Sequence, residues 1–152
     1  MSGEYIYAVL RRIRPVHELS ARAVTAALAG SDITMPMRAV LEQLYDAGPL
    51  TVPAIARRLF VTRQGVQVLV DEAKRLGYTE SRPNPGHRRS HLIALTERGR
   101  TAYEQLHAAE LETLDRIAAD LDPDDVAACV RVLDGLVLAL QPTPTHVPEG
   151  TS

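Results

Sequence analysis

The sequence predicts a mainly α-helical chain with one small β-hairpin. Three observations carry this. Apolar residues recur at helical spacing through most of the chain, and Thr34, Thr51, Thr62, Thr96 and Asp122 each stand where a helix N-cap belongs. A single pair of short β-rich runs flanks the turn-forming stretch Pro83-Asn84-Pro85-Gly86.

The elements follow in order. From Tyr5 to Leu28 the apolar residues Ile6, Val9, Leu10, Ile13, Val16, Leu19, Val24 and Leu28 mark a helix. Pro15 lies inside it and is expected to kink or split it, because proline removes a backbone donor and crowds the preceding turn. Gly30 ends it. Thr34 opens a second helix with Met37, Val40, Leu41 and Leu44 on one stripe, and Gly48-Pro49 stops it. Thr51 caps a short third helix that carries Pro53 in its first turn and Ile55, Ala56 and Leu59 inward. Phe60-Val61 connects it to a fourth helix, capped by Thr62 and ending at Gly77, whose inward face is Val66, Leu69, Val70 and Ala73. Two short helices across a tight connection make a helix-turn-helix pattern.

Tyr78–Arg82 reads as an extended, alternating run and His91–Leu95 as its hairpin partner. Thr96 caps a long helix reaching to about Leu121, with Glu97 at its positive dipole end and Leu111, Leu114, Ala118 and Leu121 at heptad-like spacing. Asp122-Pro123-Asp124-Asp125 starts the last helix, in which Val126, Val130, Leu133, Val137 and Leu140 repeat at a/d positions. Cys129 falls on that stripe and reads as a small core residue. The tail over residues 141–152 reads as disordered.

Composition bounds the function. The chain has 152 residues, 45% apolar and 24% charged, which is globular and not intrinsically disordered. No run of 18 apolar residues exists to cross a membrane, and no signal-peptide pattern opens the sequence, so a soluble cytoplasmic protein is expected. One cysteine makes no internal disulfide, and His17, His87, His91, His107 and His146 are scattered, so neither metal nor cofactor is expected. No nucleophile–base, phosphate-loop or metal-spaced constellation suggests an enzyme. The net charge of -2 hides an asymmetry: residues 51–100 sum to +6, residues 101–152 to -8 and residues 1–50 to zero. A basic middle beside an acidic end suits a polyanion-binding module joined to something else.

Three stretches resemble the MarR family of winged-helix transcription regulators. One is Thr-Val-Pro-Ala-Ile-Ala-Arg-Arg-Leu followed by Val-Thr-Arg-Gln-Gly-Val-Gln-Val-Leu-Val-Asp, and another is Leu-Gly-Tyr-Thr-Glu-Ser-Arg-Pro-Asn-Pro. The most specific is Gly-His-Arg-Arg-Ser-His-Leu-Ile-Ala-Leu-Thr-Glu-Arg-Gly-Arg, which is similar to the family's wing signature. The resemblance implies a winged helix-turn-helix over residues 31–96, dimerisation through residues 1–30 and 97–140, and a homodimer on pseudo-palindromic double-stranded DNA. It implies a regulator, expected to be a repressor, that is nucleoid-associated when bound. One position departs from the pattern: His87 stands where the family usually has an Asp that buttresses the wing arginine, here Arg89. His87 offers a phosphate contact instead.

Read this way, the recognition helix presents Thr62, Arg63, Gln64, Gly65 and Gln67. Gln64 and Gln67 can pair with adenine, Arg63 with guanine or phosphate, and Thr62 can cap, touch phosphate or both. Gly65 lets the backbone approach a phosphate. The wing presents His87, Arg88, Arg89 and Ser90, with Arg89 suited to a narrow minor groove and Arg88 to phosphate. Thr51, Arg57, Arg58 and Arg82 are backbone candidates. Such regulators typically release DNA on binding a small aromatic or anionic effector, for which His17, Arg22, Met37 and Tyr45 are the candidate lining. The competing reading is a helical dimerisation or partner-binding protein whose winged helix no longer reads DNA.

Overall fold

A computed structural model describes residues 2–141, so the tail expected to be disordered lies, beyond Gln141, outside the described residues. The elements are α1 (Gly3–Ala27), α2 (Met35–Ala47), α3 (Val52–Leu59), α4 (Arg63–Arg75), β1 (Thr79–Pro83), β2 (His91–Leu95), α5 (Glu97–Ala118) and α6 (Pro123–Leu140). They fall into two compact units, one running through Glu112 and one beginning at Thr113.

In the first unit, the threonines foreseen as caps do that work. Thr34, Thr51 and Thr62 take extended backbone angles, and their hydroxyls accept from the backbone N–H of Met37, Ala54 and Gly65. Each satisfies one of the orphan donors of its helix's first turn. α2 organises the interior. Its Met37 and Leu41 enter a cluster with Leu28, Ile33, Ala73, Tyr78 and Tyr103. Its Val40 and Leu44 enter a second with Ile55, Ala56, Val66, Val70 and Ile93. Leu95 packs against both. Burying an aliphatic side chain of this size is worth about 1.5–3 kcal/mol, so the α2 stripe is the main tie of the unit.

β1 and β2 pair antiparallel from Thr79 opposite Leu95 to Pro83 opposite His91. Leu50 adds a bridge on the far side of β2, exchanging both backbone hydrogen bonds with Ile93 at 3.0 and 2.7 Å. The middle of β2 is thereby tied to the chain between α2 and α3.

A dense junction joins the hairpin to α5. Gly77 takes φ +79°, a left-handed conformation that costs glycine little, and turns the chain out of α4. The Thr96 N–H donates to the Tyr78 carbonyl at 3.0 Å, and the Thr96 hydroxyl donates to the Gly77 carbonyl at 2.6 Å while accepting from the Gly99 N–H at 3.0 Å. Gly99 lies directly against Tyr78: a Cβ there would overlap the Tyr78 carbonyl oxygen and sit 2.8 Å from its carbon.

α2 and α5 also meet along a polar and aromatic seam. Arg38 pairs with Glu42 at 3.5 Å and with Glu110 of α5. The Tyr103 phenol donates to Glu42 at 3.4 Å, and its ring packs on Tyr45 and His107 at centroid distances of 4.8 and 5.7 Å. Burial, then the Glu42 carboxylate, pushes the Tyr103 phenol up to about 12, which keeps it a neutral donor.

In the second unit, Asp122 Oδ1 accepts from the N–H groups of Asp124 and Asp125 at 2.8 and 3.4 Å, as its position before Pro123 predicts.

Four expectations need correction. Pro15 does not split α1, which runs unbroken from Gly3 to Ala27. Residues 10–20 are exposed on every side, so water can take the carbonyl that the missing N–H leaves free. β1 does not alternate: beyond Thr79 it is exposed on both faces, because the wing projects from the body. α5 ends at Ala118, short of Leu121. Cys129 is exposed, since the α6 face that carries it has no cover among the described residues of its unit.

The junction gives a direct test. Gly99→Ala should lower stability by about 3 kcal/mol, because the added methyl meets backbone that cannot rotate away. Thermal or urea denaturation followed by circular dichroism measures this, and an unchanged midpoint would show that α5 does not need this close approach.

Candidate nucleic-acid interface

α4 divides cleanly around its axis. Val66, Val70 and Ala73 are buried, and Arg63, Gln64, Gly65, Gln67, Val68 and Asp71 are exposed. At 3.6 residues per turn, Gln64 lies almost opposite the centre of the buried stripe. The N-terminal half of α4 therefore offers flat polar side chains to the outside on a helix whose other face is locked into the core.

The first turn is held by Thr62, whose hydroxyl accepts from Gly65 N–H at 3.1 Å. A Cβ at position 65 would come within 3.1 Å of that hydroxyl, so glycine here keeps the cap uncrowded. Gln67 is oriented along the helix by donating to Asp71 at 2.9 Å. Phe60, the C-cap of α3, adopts φ +55° and exposes 68% of its surface; among the described residues it is the only non-glycine with positive φ. Its N–H and that of Val61 bond back to α3 carbonyls at 3.4 and 3.1 Å, which makes the sharp turn between α3 and α4.

The tip of the hairpin is built by Asn84. Its Oδ1 accepts from Gly86 N–H at 3.0 Å, and its amide donates to the Ser90 hydroxyl at 2.9 Å. Backbone bonds His87 N–H to Asn84 carbonyl (3.2 Å) and Ser90 N–H to His87 carbonyl (3.1 Å) close the two successive turns. His87, Arg88 and Arg89 are exposed at this tip, with Ser90 half-buried beneath it. Among the described residues Arg88 and Arg89 have no acidic partner and no side-chain hydrogen bond, which leaves both guanidinium groups free for an anion.

The backbone candidates separate. Arg57 is exposed in the last turn of α3, and Thr51 is committed as a cap. Arg58 donates to Gln43 at 2.7 Å. Arg82 is paired with Glu80 at 2.7 Å, which reduces the positive field it offers. Of the effector candidates, Met37 is 1% exposed and belongs to the core, because its place on the α2 stripe turns it inward. His17 and Arg22 are exposed on α1. Tyr45 is half-buried in the α2–α5 seam, donating to Glu104 at 3.1 Å under the Arg100 guanidinium, 5.2 Å from the ring centroid.

Sequence reasoning read Asn84 as turn signal alone; its clamp on Gly86 and Ser90 shows a second role, and the spacing of Asn84 and Ser90 across the tip was the available clue. Asn84→Ala removes two hydrogen bonds at a half-buried site. Amide exchange at Gly86 to Ser90 should quicken about tenfold, with the melting temperature almost unchanged. Unaltered exchange would mean that the backbone turns alone shape the tip.

Comparison with known proteins agrees with this geometry. Residues 31–90 match the profile of the MarR family. An uncharacterised protein of Mycobacterium tuberculosis is 40% identical over 92 residues, 60% of this chain, and the match spans 64% of that relative's length. The uncharacterised HTH-type transcriptional regulator YkoM of Bacillus subtilis is 29% identical over 87 residues, covering 57% of this chain and 56% of its own. Among solved structures, a MarR family transcription regulator superposes with a TM-score of 0.78 at 27% identity over 90% of both chains. A mutant MarR from E. coli, solved in complex with operator DNA, superposes with a TM-score of 0.72 at 25% identity over 93% of this chain and 99% of its own. Residues 31–90, which hold the helix-turn-helix and most of the wing, thus match the MarR family, and the fold along nine-tenths of the chain is that of a MarR family transcription regulator.

Proposed function

We propose that the chain is a homodimeric, sequence-specific DNA-binding transcription regulator that acts as a repressor on a pseudo-palindromic operator. The observation that carries this reading is the pairing of an exposed polar face on α4 with a wing tip whose two arginines have no protein partner among the described residues. Gln64 and Gln67 enter the major groove and pair with adenine edges, with Arg63 on guanine or phosphate. Arg89 enters the adjacent minor groove, where a narrow A·T-rich segment concentrates negative potential, and Arg88 and His87 meet phosphate. Thr62, Gly65 and Ser90, with Thr51, Arg57, Arg58 and Arg82 around them, hold the backbone in register. The solved E. coli relative bound to operator DNA supports this class of partner.

Dimerisation rests on apolar surface left uncovered. α1 exposes Tyr5, Tyr7, Ile13, Val16 and Leu19, and α6 exposes Val126, Val130, Val137, Leu138 and Leu140. A second copy covers these faces and places two recognition helices about one helical turn of DNA apart. The half-buried Tyr45 ring, flanked by Arg100 and Tyr103, suits a small aromatic or anionic effector that shifts the seam and releases DNA. The Asp and Glu residues that make residues 101–152 strongly acidic keep the dimerising part off the duplex.

The test uses a duplex recovered by selection from a randomised pool, with a scrambled duplex of equal composition as comparison, read by fluorescence anisotropy. The selected duplex should be preferred about a thousandfold, and its affinity should fall by about three to five decades between 50 and 200 mM salt. Arg88→Ala with Arg89→Ala should weaken binding about a hundredfold without altering the melting temperature. Equal, weak binding to both duplexes would overturn the reading in favour of a helical partner-binding protein.

A further inference from the structure

The outward face of α4 carries one apolar side chain that the fold does not use. Val68 is 63% exposed, whereas its neighbours Val66 and Val70 are buried and Leu69 is half-buried. It stands four residues after Gln64, about 40° from it around the helix and about 6 Å along it, with Gln67 about 60° to the other side of Gln64. A β-branched residue is a weaker helix former than alanine, so neither propensity nor packing accounts for valine at this place. The acids three and four residues further on are engaged elsewhere, Asp71 by Gln67 and Glu72 by Arg75.

In the major groove an adenine presents a donor and an acceptor that a glutamine amide matches, while its paired thymine presents a methyl group. A helix face that reads adenine with Gln64 therefore passes thymine methyls on either strand, within about two base-pair steps of 3.4 Å. We infer that Val68 is a specificity-determining residue that packs its two methyl groups on the 5-methyl of a thymine within two steps of the base read by Gln64. The inference rests on the DNA-binding reading above and adds an apolar contact to it. Its chemistry is selective. Cytosine has no methyl and offers an amino donor that valine would leave unpaired, and uracil differs from thymine by the methyl alone.

The experiment takes the duplex selected by the full-length protein from a randomised pool and replaces each thymine singly by deoxyuridine. Binding is read by anisotropy for the natural protein and for Val68→Ala, whose fold is checked by circular dichroism. One thymine position in each half-site should lose about fourfold in affinity when its methyl is removed, the worth of one buried methyl group. Val68→Ala should bind thymine and deoxyuridine duplexes equally at that position and keep its sensitivity to changes at the adenine facing Gln64. Overturning results are a deoxyuridine series that is flat for the natural protein, or a methyl effect of the same size in Val68→Ala. Should no duplex be enriched from the pool, the DNA-binding reading itself fails and this inference with it.

Discussion

The approach of Gly99 to the Tyr78 carbonyl is the constraint on which the rest of the first unit depends. It lets the first turn of α5 lie on the backbone that leaves α4, and Thr96 locks the two together by bonding to Gly77, Tyr78 and Gly99 at once. Three elements are set by this one junction: the exit of α4, the root of the hairpin and the direction of α5. Recognition helix and wing therefore belong to one body, and any side chain at position 99 would push them apart. The Leu50–Ile93 bridge secures the outer edge of β2 at its middle, so the hairpin is held both at its root and along that edge.

From that fixed root the molecule grades outward from apolar to polar. The two clusters around α2 exclude water and hold α3 and α4 at their turn. Farther out, β1 is exposed on both faces and the tip depends on the Asn84 clamp in place of a core. A wing with no core of its own can carry two arginines, unpaired among the described residues, without desolvating them, which keeps their charge available to a polyanion. The exposed aliphatic residues of α1 and α6 pose the opposite problem, since they present apolar surface that an isolated chain leaves in water.

Much of this was legible in the sequence, for local reasons. Helix starts depend on one side chain and the three residues after it, so Thr34, Thr51, Thr62, Thr96 and Asp122 could be placed without tertiary information. The buried stripe of α2 and the hairpin followed from period and turn chemistry. What failed depended on surroundings. Pro15 does not end the helix here, where water can take the carbonyl it leaves free, and exposure cannot be read from the proline itself. Met37 and Tyr45 look equally able to line a ligand site, yet the stripe turns Met37 into the core while Tyr45 reaches the seam with α5. Cys129 lies on an apolar stripe, but a stripe reports a preference for cover and not what supplies it. Gly99 was invisible as a constraint because its partner, Tyr78, lies across the whole hairpin.

The central claim is that one rigid unit brings α4 and the wing to neighbouring grooves, twice, about a two-fold axis. Hydroxyl-radical footprinting of the full-length protein on its selected duplex measures this most directly. The account predicts two symmetry-related sets of protection centred about one helical turn apart, each with an outer minor-groove patch that disappears in the Arg88→Ala, Arg89→Ala variant while the inner protections remain at saturating protein. A single unsymmetrical footprint, or outer patches that persist in the variant, would contradict it.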